Sequence, residues 1–448
     1  MTKSFFGTDG IRGKVGIEPI TPTTIVHLGW ALGCVIKKYY GKGSVMVGKD
    51  TRVSGYLLES SMEAGLSSAG MDVTMLGPLP TPASAYLTQT ARAHAGVVIS
   101  ASHNHYGDNG IKFFGPEGSK ISDEIQAEIE ALMQKPLSVV TPEQLGKAYR
   151  MDDAVGRYVE FCKATIPRRM NFKGLKVALD CANGAAYQSA PAAFHELGAD
   201  IYVINNNPNG FNINEGCGST HIEGLQKLVI EKACDIGIAF DGDADRVLMV
   251  DRDGKVVDGD QLLFVIANSL HKQNRLKGGI VGTQMTNLGM EKALQARDIP
   301  FVRAKVGDRY VMQELKKRDW VLGGESSGHI ICLDKTTTGD GLVSALQVLS
   351  QVQFMGQPLH ELAEKMTMYP QKMINVQLAT GANAAKICES AAVLESVQQA
   401  EQLLSESGRV LLRASGTEPV IRVMVEGDNA ELVESCCEQI SNVVAAQI

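Results

Sequence analysis

Asp241-Gly242-Asp243-Ala244-Asp245-Arg246 follows the apolar run Asp235 to Phe240 directly and carries a carboxylate at every second position. Three acids at i, i+2 and i+4 of an extended segment can converge on one point, where they repel one another unless a cation joins them. Hard oxygen ligands suit Mg²⁺ or Ca²⁺. The spacing imitates the start of an EF-hand, but Arg246 stands where that loop needs glycine and Arg252 where it needs glutamate, so EF-hand calcium binding is excluded. Three protein carboxylates favour Mg²⁺, which completes its octahedron with phosphate oxygens and water. The competing reading is a solvated acidic turn.

Three further loops carry chemistry. Ser100-Ala101-Ser102-His103-Asn104 follows an apolar run ending at Ile99, where ligands bind in α/β folds. Ser102 is not the nucleophile of a GxSxG elbow, because Ser100 and Asn104 flank it. It can instead carry a phosphoryl group, since phosphoserine has a second pKa near ~6 and its dianion would help to hold a metal; an ordinary turn with local side-chain bonds is the alternative. Gly323-Gly324-Glu325-Ser326-Ser327-Gly328-His329 offers a carboxylate and two hydroxyls that suit vicinal sugar hydroxyls, and His329 can carry a proton. Arg413-Ala414-Ser415-Gly416-Thr417-Glu418-Pro419 joins a guanidinium, two hydroxyls and a glycine turn into a phosphate cradle. Arg422 follows, on the opposite strand face from Ile421, Val423 and Val425. Arg12, within Phe6 to Gly13, and Lys112, within Asp108-Asn109-Gly110-Ile111-Lys112, can serve anion binding or belong to ordinary turns.

The elements that must position these loops read as α/β layers. Val45–Gly48, Gly96–Ile99, Leu175–Asp180, Asp235–Phe240, Gly279–Thr283 and Trp320–Gly323 are strand candidates, and Leu57 to Gly70 is a helix. Ser122 starts another helix, with Ile125, Ile129, Leu132 and Met133 on one face. Three times a strand ending in a polar residue leads through a loop towards a helix, a weak internal repeat. After Pro370 the pattern changes: a strand over Met373–Gln377, a helix over Ala384–Leu404, two strands within Arg409–Gly427 and a final helix over Glu431–Val444. The reading is three similar α/β domains, with mixed sheets and helices on both faces, and a smaller α+β domain. They span about 1–153, 154–255, 256–369 and 370–448.

Composition narrows the function. With 448 residues, 44% hydrophobic and 21% charged, the chain can bury a large core. A net charge of −7 without any Lys/Arg-rich tract argues against nucleic acid. No apolar stretch approaches the ~20 residues of a membrane span, and the first residues show no export signal, so the expected partner is a small molecule and the expected location the cytoplasm. Nine cysteines without a CxxC read as reduced thiols.

Taken together, Phe6 to Gly13 (FGTDGIRG), Ala101-Ser102-His103-Asn104, Asp241 to Arg246 (DGDADR), Gly324 to His329 (GESSGH) and Arg413 to Pro419 (RASGTEP) resemble, in order, the motifs of the α-D-phosphohexomutase superfamily. The resemblance spans nearly the whole chain. It implies four domains around a central cleft. Ser102 would carry the phosphoryl group, with Asp241, Asp243 and Asp245 holding Mg²⁺ beside it. Arg246, Glu325 and Ser327 would bind the sugar, and Arg413, Ser415, Gly416, Thr417 and Arg422 the non-reacting phosphate. Lys112, His329 and Arg12 are the candidates for proton transfer. Ser326 makes the sugar loop look like the branch that acts on glucosamine phosphates, since branches acting on neutral hexoses typically show GEMSGH there. The expected reaction interconverts glucosamine 6-phosphate and glucosamine 1-phosphate through a 1,6-bisphosphate on the route to UDP-N-acetylglucosamine; no partner for the C2 amine is evident. Rivals are a mutase of neutral hexose phosphates, a Mg²⁺-dependent sugar phosphatase and a non-catalytic sensor. The assembly is left open, a homodimer among the options.

Overall fold

The computed structural model describes residues 5–7, 9–379, 383–414 and 419–448. They form two compact units, one of 1–283 with 304–363 and one of 284–303 with 364–448.

In the first unit, a six-stranded sheet runs in the order Ile11–Lys14, Asp108–Phe114, Ala95–Ile99, Ser44–Lys49, Asp72–Pro78, Ala148–Arg150. The last four strands are parallel and the first two join antiparallel. Val45, Val47, Val97 and Ile99 are fully buried because helices cover the sheet, the environment that selects unbroken β-branched runs. Helix Pro22–Tyr40 starts at a Thr21 cap with proline in its first turn. It packs closely on helix Val53–Ser68. A Cβ at Gly65 would lie 2.1 Å from the Val26 carbonyl, so that crossing requires glycine. Val53–Ser68 begins earlier than the expected Leu57, because the Asp50 carboxylate accepts the Arg52 N–H at 2.9 Å and turns the chain before Val53.

The repeat expected from sequence is visible in the strand order. Asp108–Phe114, Ala95–Ile99, Ser44–Lys49 and Asp72–Pro78 lie side by side in the first sheet. Val247–Asp251, Ile236–Phe240, Lys176–Asp180 and Asp200–Ile204 follow the same succession in the second. Ile330–Cys332, Leu322–Gly324 and Ile280–Thr283 begin it again in the third. In each, a parallel strand turns back through a hairpin into an antiparallel one. Those hairpins hold Ser102, Asp241–Asp245 and Glu325–His329, so the chemistry-bearing loops lead into strands, while the first strand of each repeat leads towards a helix.

In the second unit, Val420–Gly427 lies between Gln371–Gln377 and Gly408–Ala414 in an antiparallel sheet. Ile421, Val423 and Val425 face helix Ala430–Ala445 and join Val433, Cys437 and Ile440 in one core. The helix expected over Ala384–Leu404 is broken. Ala384–Cys388 is capped by Asn383, and Ala391–Leu404 starts afresh after Ser390, whose extended backbone interrupts the turn. All nine cysteines are unbridged thiols. No helix among the described residues is long and apolar enough to cross a membrane.

Candidate active site

Ser102 leaves its strand in the left-handed region, at φ +52°, a conformation that costs a non-glycine residue about 1 kcal/mol or more. Three groups hold it there. Its N–H donates to Ser100 Oγ at 2.9 Å. Its carbonyl accepts from Arg52 Nη2 at 3.1 Å and from Asn214 Nδ2 at 3.0 Å. The same two side chains also donate to the Asn104 carbonyl. Arg52 is fully buried and paired with Asp50. Gly242 packs against this loop so closely that a Cβ would come within 2.5 Å of the Ser102 carbonyl oxygen.

The loop delivers the Ser102 hydroxyl to the acidic hairpin, where it donates to Asp241 Oδ2 at 2.6 Å. Ligand atoms of Asp241, Asp243 and Asp245 lie within 4.8 Å of one another, and all three residues are buried. Burial, then Asp245 and Asp243, push the Asp241 carboxyl well above the ordinary range. Asp243 Oδ1 and Asp245 Oδ1 are buried without a hydrogen-bond partner. Orphaned carboxylate oxygens in a repelling trio fit a hard cation.

Behind the triad the charges close into a ring. Lys112 Nζ donates to Asp243 Oδ2 at 2.8 Å and Asp245 Oδ2 at 3.1 Å, and lies 3.4 Å from Asp9. Lys120 bridges Asp9 to Asp308, reaching the latter at 2.6 Å. His329 closes the ring, with Nε2 3.7 Å from Asp308 and Nδ1 3.6 Å from Asp245. Burial works against the charge on Lys112, but Asp243, Asp245 and Asp9 outweigh it and hold the ammonium charged. The same contest, burial against Asp245, Asp308 and Glu325, raises His329 to about 9. Arg12 pairs with Asp9 rather than with the triad. A cavity of about 310 Å³ adjoins the ring, its wall including Asp9, Lys112, Lys120 and Asp308 but not Ser102, Glu325 or Ser327.

The third hairpin is tied to the second. Val247 N–H donates to the Gly328 carbonyl at 3.1 Å, and Arg246 N–H to Asp241 Oδ1 at 3.1 Å. Glu325 accepts the Gly307 N–H on Oε1 at 2.9 Å. Glu325 and Ser327 remain partly exposed, whereas His329 is buried.

The first unit therefore brings together Ser102, the three aspartates, Arg246, Lys112, His329, Glu325 and Ser327, with Arg12 reached through Asp9. Arg12 and Lys112 lie on paired strands, not in turns. In the second unit Arg413 and Arg422 are direct cross-strand partners; Ser415, Gly416 and Thr417 lie outside the described residues. Burial, then Arg422, lower the Arg413 pKa, and like charges set opposite each other favour an anion between them. Sequence reading missed Arg52, Asn214, Asp9, Lys120 and Asp308. It also passed over His103, whose Nδ1 lies 3.3 Å from Ser102 Oγ and which burial, then Arg246 and Arg12, lower to about 4. Asp9 stood inside a noted glycine-rich run; the other charged residues looked like ordinary surface.

Four family models match successive segments of the chain: phosphoglucomutase/phosphomannomutase alpha/beta/alpha domain I at residues 3–139, domain II at 156–254, domain III at 258–369 and the C-terminal domain at 373–443. The chain belongs to the phosphoglucomutase/phosphomannomutase family of isomerases, with three α/β domains and a smaller C-terminal one. Among curated relatives, the phosphoglucosamine mutase of Nitrosococcus oceani is 55% identical over 446 residues, 99% of this chain and 98% of that protein. Among solved structures, a phosphoglucomutase/phosphomannomutase family protein from Burkholderia thailandensis matches with a TM-score of 0.81 at 23% identity, over 99% of this chain and 97% of that one. Aspergillus fumigatus N-acetylphosphoglucosamine mutase, solved in complex with GlcNAc-6P and magnesium, matches with a TM-score of 0.70 at 18% identity, over 98% and 95%.

Proposed function

We propose that this chain is a phosphoglucosamine mutase that interconverts glucosamine 6-phosphate and glucosamine 1-phosphate in the cytoplasm, on the route to UDP-N-acetylglucosamine. The observation that carries the reading is the 2.6 Å hydrogen bond from Ser102 to Asp241 inside a buried acidic triad, in a chain 55% identical to a relative of that name.

Phosphoryl transfer needs positioning and charge neutralisation more than covalent help. Ser102 is the carrier. Asp241, Asp243, Asp245 and the phosphoserine hold Mg²⁺, which when bound offsets the charge on the transferring group. The bond from phosphorus to Ser102 Oγ breaks as a bond to the sugar's free hydroxyl forms, and that hydroxyl loses its proton. The 1,6-bisphosphate then turns end over end, and its other phosphoryl group returns to Ser102. Lys112, held charged by three carboxylates, neutralises the phosphoryl oxygens; His329 and Arg12 are the further candidates for moving the proton. Arg246, Glu325 and Ser327 bind the sugar, and Arg413, Ser415, Gly416, Thr417 and Arg422 the non-reacting phosphate. Domain limits near 153, 255 and 369 divide these loops one to a domain.

Intact-mass measurement of the purified protein is expected to show a fraction heavier by one phosphate, absent from Ser102→Ala. Coupled assays should show faster turnover of glucosamine 6-phosphate than of mannose 1-phosphate or glucose 1-phosphate. Full mutase activity in Ser102→Ala would remove the carrier role, and faster turnover of a neutral sugar would remove the amino-sugar assignment. Phosphate release matching sugar-phosphate consumption would make the chain a phosphatase.

A further inference from the structure

A glucosamine phosphate differs from the neutral hexose phosphates by an ammonium at C2, next to the hydroxyls that the proposed reading gives to Glu325. The backbone that fixes Glu325 leads straight to a second carboxylate. Gly307 donates its N–H to Glu325 Oε1, and the next residue, Asp308, opens helix Asp308–Arg318. Its Oδ1 accepts the Arg309 N–H at 2.7 Å.

The other acids of the triad and the ring are committed elsewhere. Asp241, Asp243 and Asp245 form the triad, and Asp9 is shared by Arg12, Lys112 and Lys120. Among the cationic side chains of the described residues, Lys120 is the one at hydrogen-bond distance from Asp308, since His329 Nε2 stands 3.7 Å off. Lys120 already contacts Asp9, so it can rest there when another cation takes Asp308. The Asp308 side chain is 19% exposed, against none for Asp243 and 10% for Asp245. It also walls the cavity of about 310 Å³, so there is open space beside it.

The geometry points to Asp308 as the residue that recognises the C2 ammonium, sharing Lys120 with Asp9 as it does so. The inference rests on the amino-sugar reading above. A charge-assisted hydrogen bond of this kind is worth tenfold or more in binding, while a neutral C2 hydroxyl gains less from the same carboxylate.

The test compares kcat/KM for glucosamine 6-phosphate, glucose 6-phosphate and 2-deoxyglucose 6-phosphate in the wild type and in Asp308→Asn and Asp308→Glu. Asp308→Asn is expected to lose at least about tenfold more on the amino sugar than on either neutral one; Asp308→Glu should recover part of the difference. In the wild type, preference for the amino sugar over the 2-deoxy sugar should fall as pH rises past the substrate amine's own pKa, a readout that needs no variant. Equal losses on all three sugars, or a wild-type preference flat across that pH range, would overturn the assignment. If the wild type turns over neutral sugars faster, the proposed function falls first and this inference with it. Amino-sugar preference that survives in Asp308→Asn sinks the inference alone.

Discussion

The Arg52 guanidinium, without exposure to solvent, donates to the backbone carbonyl of Ser102 at 3.1 Å. It thereby fixes the peptide from which the Ser102 hydroxyl reaches Asp241. Arg52 touches no reacting atom; it holds a left-handed residue in place, with Asn214 on the same carbonyl.

Arg52→Lys keeps the charge but loses the fork that spans Asp50, Ser102 and Asn104. Breaking a buried, hydrogen-bonded pair costs about 3–5 kcal/mol, and the lysine variant should lose a good part of that in urea unfolding. At temperatures where the variant is folded, its phosphorylated fraction by intact mass should fall below the wild type's, because the hydroxyl is no longer aimed at the triad. A folded Arg52→Lys protein with wild-type phosphorylation would show that Asn214 alone suffices.

The triad trades stability for a cation site. Asp241 is pushed up by burial and its two neighbours, so neutralising it relieves repulsion. Asp241→Asn in the presence of chelator should melt at or above the wild type, since an amide oxygen can still accept from Ser102. Added Mg²⁺ should raise the wild-type Tm, by about 2.7 kcal/mol of stability at a hundred times Kd, and leave the variant's unmoved. Equal Mg²⁺ shifts in both proteins would place the ion elsewhere.

Local pattern was enough for much of this. Apolar runs followed by polar loops marked the strands, and acids at alternate positions marked the metal hairpin before any contact was known. What escaped was long-range polar pairing. Arg52 lies 50 residues from Ser102 along the chain and Lys120 188 from Asp308, and each has the composition of a solvated surface residue until the fold buries it. Asp108–Lys112 looked like a turn because Asp, Asn and Gly favour turns. Its partner strand Ile11–Lys14 and the buried Asn109, which donates to Ser54, override that propensity. The break at Ser390 within an otherwise helical stretch was hidden for the opposite reason, since nothing near it is a strong breaker.

Asp340 gives a pH signature away from the triad. It caps helix Gly341–Met355 through the Val343 N–H and accepts from Tyr158 at 2.9 Å. Burial nonetheless raises it from 3.8 to about 6, against those hydrogen bonds. A folded-state pKa above the unfolded value contributes stability that is fully present below about pH 4 and is lost as pH rises through about 6. Asp340→Asn, whose amide oxygen can still cap the helix, should therefore gain on the wild type between those values. The gain should level off above pH 7 at about 3 kcal/mol, the linkage value of a two-unit shift. Urea unfolding from pH 4.5 to 8 measures it, and a difference constant across that range would refute the assignment.

In the second unit, Arg413 and Arg422 face each other across adjacent strands, and burial with Arg422's charge already lowers the Arg413 pKa. Two like charges set opposite each other repel, and a bidentate phosphate contact suits such a pair. Arg413→Gln should thus match or exceed the wild type in Tm without phosphate, by about 0.5 kcal/mol at this partly exposed site. Millimolar inorganic phosphate should raise the wild-type Tm while the Ser102→Ala background keeps the carrier serine out of the comparison. In that background Arg413→Gln should lose most of the phosphate-induced shift, and KM for the sugar phosphate, measured with Ser102 intact, should rise at least about tenfold. A phosphate shift undiminished by Arg413→Gln would mean that the anion is held without Arg413, and would remove that residue from the phosphate cradle.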